Sequence, residues 1–136
     1  MALYELLESG DGKDEDLNCA EKILYGANEI YDLGLDKNAL RLASGFGGGM
    51  GIESVCGALT GSIMVLGRLF VEEKAHESTR IKEISSQMLV RYEREMGYID
   101  CAPLKKGYRT EQKKCDSVIL KAAEILDDII ARELTD

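Results

Sequence analysis

Four cysteines, Cys19, Cys56, Cys101 and Cys115, are the side chains of this sequence best suited to nucleophilic, redox or metal chemistry. They lie 37, 45 and 14 residues apart. No two stand in a CxxC pair, so neither a zinc ribbon nor a thioredoxin motif is present. In a reducing compartment such cysteines serve catalysis, redox sensing or metal binding more often than structural disulfides. If all four were oxidised, three pairings would be open, and spacing does not choose among them. Free cysteine is also a small buried hydrophobe, so plain core packing is the competing reading. The only histidine, His76, sits in the polar stretch KAHEST and reads as a surface or capping residue.

The local setting of each sulfur separates these readings. In NCAE, Asn18 stands three residues before Glu21, a capping-box spacing that places Cys19 in the first turn of a helix, with Asp16 as an alternative cap. In GIESVCGA, Glu53 and Ser54 are first-turn or capping residues, so Cys56 also falls in a first turn. Unpaired N–H groups and the positive end of the helix dipole gather there and favour a thiolate. Cys101 and Cys115 bracket APLKKGYRTEQKK, where Lys105, Lys106, Arg109, Lys113 and Lys114 outnumber the single Glu111. Those cations also favour thiolates, although a solvated basic loop offset by Asp100 and Asp116 is the plainer reading.

Helices must carry these sulfurs, because apolar residues recur at helical spacing almost throughout. Leu3, Leu6 and Leu7 make a short stripe before the turn SGDGKD. Leu17, Ala20, Ile23, Leu24, Ala27, Ile30 and Tyr31 make a second, ended by Gly34, and Asp36 caps a short helix through Ala39, Leu40 and Ala43. A helix from about Ser54 to Glu73 follows the glycine loop. Ile81, Ile84, Met88, Leu89, Tyr92 and Met96 line another that stops at Gly97, and Val118 to Ile130 carry the last. No long alternation marks a strand, and no repeat or linker divides the chain. The expectation is an all-α, single-domain bundle of about five to six helices over residues 1–136, with a glycine-rich loop before the central helix.

Composition supports a globular chain. With 136 residues, 45% apolar and 31% charged, it can bury a core without disulfide staples. Its 17 basic and 25 acidic residues leave a net charge of −8, which disfavours nucleic acid and anionic membranes as partners. The uncharged run Ser54–Gly67 has 14 residues, short of the roughly 20 that a membrane span needs. MALYELLESGDGKDEDLN lacks a basic segment followed by an apolar run, so no secretory signal is expected and the location reads as cytoplasmic.

Eight of the 14 glycines fall between Leu42 and Gly67. Gly45, Gly47, Gly48, Gly49 and Gly51 precede a helix start, where positive φ and close backbone approach are available. Gly57 and Gly61 sit four apart inside the helix and imply that a second helix, foremost the one carrying Cys19, or a bound group comes very near. Among these, Gly48, Gly49, Gly57 and Gly61 are the candidate cofactor-contacting positions. A phosphate loop is disfavoured, because no Lys-Ser/Thr follows GFGGGMG and Glu53 opposes an anion.

Together, NCAE at Cys19, CGALTG at Cys56–Gly61, Cys101 and Cys115 resemble the redox-active protein family named C_GCAxxG_C_C, single-domain chains of this length with four cysteines and a CGAxxG motif. The resemblance runs from NCAE through GFGGGMG to GYIDCAPL and the AAEIL of the last helix. It implies redox or metal chemistry at the cysteines and leaves the reaction open.

The leading expectation is a cytoplasmic thiol/disulfide redox protein, an oxidoreductase or electron carrier. Cys56 is the expected nucleophile, because its loop exposes the helix end; Cys19 resolves, and Cys101 with Cys115 form a second pair. Its partner would be a redox protein or a small thiol. The alternative is a zinc, copper(I) or iron–sulfur site built from Cys19, Cys56, Cys101 and Cys115. A third reading is a non-catalytic interaction module, with Met88, Leu89, Tyr92 and Met96 as a partner-facing stripe and homodimerisation through a helical face.

Overall fold

A computed structural model describes residues 2–10, 16–77, 79–112 and 114–135. The expected turn over 9–14 lies mostly outside these residues, as does Lys113. Among the described residues, seven α-helices succeed one another: α1 (Leu3–Glu8), α2 (Cys19–Ile30), α3 (Lys37–Leu40), α4 (Gly57–Phe70), α5 (Arg80–Met96), α6 (Cys101–Tyr108) and α7 (Asp116–Thr135). Among the described residues, β-structure is confined to two isolated bridges, Val55–Asp100 and Thr110–Lys114. The fold is all-α, as expected, with one correction. Helix α6 forms inside the segment that reads as a basic loop. Its apolar face consists of only Leu104, which is buried, and Tyr108, whose hydroxyl donates to the Met96 carbonyl at 3.0 Å. Five interspersed cations conceal so narrow a stripe.

Several helix ends follow their local chemistry. The Asn18 side chain accepts from the Glu21 N–H at 2.8 Å, and the Glu21 carboxylate accepts from the Asn18 N–H at 2.9 Å. This reciprocal cap starts α2 at Cys19. Asp36 caps α3 through the Ala39 N–H at 2.8 Å, and Gly97, at φ 91°, ends α5. Helix α4 starts later than the sequence implies. The Cys56 N–H donates to the Ile99 carbonyl at 2.8 Å, and the Cys101 N–H donates to the Ser54 carbonyl at 2.6 Å. Ser54 and Val55 are therefore drawn into a bridge and cannot join the helix, which leaves Cys56 as the N-cap residue.

Buried residues of α1, α2, α4, α5, α6 and α7 form one core cluster, with Leu24, Leu59, Leu66, Met88, Tyr92 and Leu126 among its largest fully covered side chains. Helix α4 is central and packs on α2, α5 and α7, and its contact with α2 is the most extensive between any two elements. The two in-helix glycines explain that closeness. A Cβ at Gly61 would stand 2.7 Å from the Ala20 carbonyl oxygen and 3.1 Å from the Ala20 Cα; one at Gly57 would stand 3.2 Å from the Ala20 N and 3.3 Å from the Cys19 Cβ. The visitor at Gly61 is α2, and at Gly57 the Phe46 carbonyl oxygen, 3.0 Å away, stands with α2; protein atoms thus fill both positions, which corrects the reading of Gly57 and Gly61 as cofactor contacts.

The α5 stripe is also consumed by the core. Met88, Tyr92 and Met96 are buried, and the Tyr92 hydroxyl donates to the Val118 carbonyl at 3.1 Å. The expectation that this stripe meets a partner is therefore corrected.

One tertiary clasp has no sequence signature. The Asp127 carboxylate of α7 accepts from the N–H groups of Leu3 and Tyr4, at 3.0 and 2.8 Å, and from the Tyr31 hydroxyl. It caps α1 from 124 positions away while pinning the end of α2. Asp127→Ala is expected to cost about 2 kcal/mol, since it removes a cap and charge-assisted hydrogen bonds. A denaturant melt showing no loss would overturn that role.

Candidate functional site

The end of the bundle where α2, α4, α6 and α7 begin collects all four cysteines. Cys19 and Cys101 open α2 and α6, Cys56 caps α4, and Cys115 immediately precedes α7. The Cys19 and Cys115 side chains are hydrogen-bonded to each other, and each sulfur lies within electrostatic reach of others in the group. Sulfurs separated by up to 96 positions in sequence thus form one cluster.

A left-handed turn supports the cluster. Gly48, Gly49, Met50 and Gly51 have φ of 62°, 62°, 63° and 77°. Such a run is open to L-residues only when most of its members are glycine. A Cβ at Gly49 would lie 2.4 Å from the Ser54 N and 2.9 Å from the Cys101 Cβ, so this glycine lets the turn press against the Cys101 helix. Asn18 fastens the preceding segment to α2 by donating from Nδ2 to the Ser44 carbonyl at 3.0 Å. The cap of α2 is thereby also a support for the glycine loop.

The four sulfurs differ in ionisation. Cys115 is pulled down to about 6, first by the hydrogen bond from Cys19 and then, against some burial, by Arg109, Lys105 and Lys22. Cys19 is pushed far up, because it keeps the shared proton as donor to Cys115 and is also largely buried beside Cys56. Cys56 is pushed up to about 11. Its burial outweighs the N–H groups of Ala58 and Leu59, which point at the sulfur from the first turn of α4. Cys101 is raised by burial and by Cys115 and Glu53, with Lys105 and Arg109 opposing.

These values overturn part of the sequence reading. Helix-start placement does supply N–H donors to Cys56, but desolvation wins, as it does for a charge removed from water without full compensation. Cys56 is only 3% exposed, so the expectation of an accessible nucleophile at an open helix end is corrected. Cys19 is likewise no thiolate. The sulfur with thiolate character is Cys115, whose neighbourhood supplies both a thiol donor and cations.

Cys19 and Cys115 open onto a cleft of about 490 Å³ lined also by Asn18, Lys22, Gly48, Arg109, Lys114 and Ile119. Gly48 also lines this cleft, and so does Lys22, which is missed by sequence reasoning. Its signal was there: Lys22 lies three positions after Cys19 on α2, hence on the same helix face. A larger cavity of about 710 Å³ surrounds His76, Thr79 and Ile81 and contains no cysteine.

Among the described residues, no group of three or more His, Cys, Asp or Glu side chains is placed to hold a metal ion. The arrangement of the described residues therefore does not match zinc, which takes three or four protein ligands, or an iron–sulfur cluster, which takes four. Among the described residues, no helix is long and apolar enough to cross a membrane.

Residues 17–129 match the family described as "Putative redox-active protein (C_GCAxxG_C_C)". No curated protein and no solved structure matches the chain. The matched segment contains all four cysteines, both in-helix glycines and the left-handed turn, and on that span this all-α chain belongs to the C_GCAxxG_C_C family, described as redox-active.

Proposed function

We propose that the chain is a dithiol–disulfide redox protein in which Cys115 attacks and Cys19 resolves. The observation that carries this reading is that Cys19 and Cys115 share the wall of one cleft, where their interaction and the neighbouring cations favour the thiolate on Cys115. The Cys115 thiolate attacks one sulfur of a substrate disulfide RSSR. A Cys115–SR bond forms, the RS–SR bond breaks, and the departing thiolate RS⁻ takes up the Cys19 proton. Cys19, now a thiolate, attacks the Cys115 sulfur and expels the second RS⁻. The protein loses two electrons and becomes a Cys19–Cys115 disulfide, while RSSR becomes one thiol and one thiolate, which takes its proton from water. The reverse sequence oxidises a dithiol partner. Cys56, which is buried, and Cys101, which is half-buried, stand at adjoining helix starts and make a second dithiol.

Alkylation of each cysteine as a function of pH, resolved by peptide mass mapping, tests this assignment. A depressed acid loses its reactive thiolate as pH falls through its folded-state value. The Cys115 rate is therefore expected to rise through a midpoint of about 6 and level off by neutral pH. Cys19 and Cys56 are expected to stay slow at neutral pH. A Cys115 midpoint near the ordinary thiol value of ~8.5 would overturn the assignment.

A further inference from the structure

The cleft beside Cys115 has a charge opposite to that of the whole chain. Lys22, Arg109 and Lys114 line it against one carboxylate, Asp16, in a protein of net charge −8. Three elements supply the cations: Lys22 lies on α2, Arg109 follows α6, and Lys114 precedes α7. A short turn joins the latter two, closed by reciprocal hydrogen bonds between Thr110 and Lys114 at 3.2 and 2.8 Å. That turn brings Arg109 and Lys114 to the cleft that Lys22 also lines. Among the described residues, none of the three cations forms an ion pair with a carboxylate, whereas Lys105 nearby is paired with Glu53 at 3.6 Å. The cleft volume of about 490 Å³ lies in the range that suits a small molecule.

Resting on the thiol–disulfide reading above, we infer that the substrate of this site is a small disulfide bearing carboxylates, held by Lys22, Arg109 and Lys114 while Cys115 attacks its sulfur. The cations hold the carboxylates while the disulfide meets the Cys115–Cys19 pair, which lines the same cleft. The same cations stabilise the outgoing thiolate. Exchange leaves one half as RS⁻ in the cleft and the other half as the SR group of a mixed disulfide on Cys115, and the electron balance is the one given above.

Three small disulfides of graded charge test the inference: 3,3′-dithiodipropionate (dianion), 2-hydroxyethyl disulfide (neutral) and cystamine (dication). Each rate of exchange with the reduced full-length protein is divided by the rate with a free reference thiol under the same conditions, which removes intrinsic leaving-group differences. The expected normalised preference for the dianion over the dication is about tenfold at 0.1 M salt. It should shrink to about twofold at 1 M salt, where the screening length falls to about 3 Å. Arg109→Gln and Lys114→Gln, both at exposed positions, should each reduce the ratio. Comparing two substrates within one variant cancels any change in the thiolate fraction, because the same sulfur attacks both.

Equal normalised rates for all three disulfides, with Cys115 still titrating low, would overturn the anionic substrate while leaving the dithiol reading intact. A preference for the dianion that survives Arg109→Gln combined with Lys114→Gln and Lys22→Gln would overturn the cleft as its source. No exchange with any of the three would overturn both readings.

Discussion

Replacing Gly61 with leucine is expected to lower stability by about 3 kcal/mol, the upper end of ordinary overpacking costs. Helix propensity alone predicts the opposite, because leucine is better than glycine inside a helix by close to 1 kcal/mol. The two effects differ in sign, and geometry decides between them. A Cβ at this position would lie 2.7 Å from the Ala20 carbonyl oxygen and 3.2 Å from the Ile23 Cβ, and the nearest of these atoms belongs to a backbone that cannot rotate away. Relief requires α2 and α4 to separate along the most extensive contact in the molecule. Gly61→Ala isolates the first atom of the problem and is expected to destabilise by a smaller amount. A denaturant melt of both variants measures the effect. Because α2 carries Cys19, moving it should also weaken the Cys19–Cys115 hydrogen bond and raise the pH midpoint of Cys115 alkylation. A stabilised Gly61→Leu with an unchanged midpoint would show that the close approach has no energetic role.

Substitution of Cys19 should produce the largest change in chemistry, and two replacements separate its two roles. Either Cys19→Ala or Cys19→Ser removes the resolving sulfur, so the mixed disulfide on Cys115 should persist and turnover with a disulfide substrate should fall by at least about a hundredfold. The replacements differ in hydrogen bonding. Serine retains an O–H that can donate to the Cys115 thiolate, and alanine does not. The leading cause of the low Cys115 value is the Cys19 donor, with Arg109, Lys105 and Lys22 contributing less. Cys19→Ala is therefore expected to move the alkylation midpoint up from about 6 by more than one pH unit, and Cys19→Ser by less. The direction follows from the ionic form that is stabilised. The donor favours the thiolate, so losing it shifts reactivity to higher pH. Mass spectrometry of the trapped adduct and the two midpoints are independent readouts. A Cys19→Ala protein that turns over normally would remove Cys19 from the mechanism.

The elements of this fold were largely legible from local chemistry. Apolar spacing located the main helices, Asn18 with Glu21 marked the start of α2, Asp36 marked α3, and Gly97 marked the end of α5. Each is a short-range effect, in which a side chain satisfies an N–H three residues away or a glycine adopts a left-handed angle. The glycine pair in α4 was also informative, since glycine is unfavourable in a helix unless something must come close, and the α2 backbone does so at Gly61. Helix α6 escaped because its apolar face rests on Leu104 and Tyr108 alone.

Which sulfur is activated could not be read in the same way. By sequence, Cys19 and Cys56 share the favourable helix-start position, and the dipole and free N–H groups act on both. Tertiary packing decided otherwise by burying Cys56 and placing the Cys19 thiol against Cys115. It also gathered Lys22 from α2 with Arg109 and Lys114 from the far end of the chain around one cleft. Capping and periodicity act over three or four residues and are therefore written in the order of amino acids. Desolvation and proton sharing depend on which surfaces meet across the bundle, and only the folded chain brings those surfaces together.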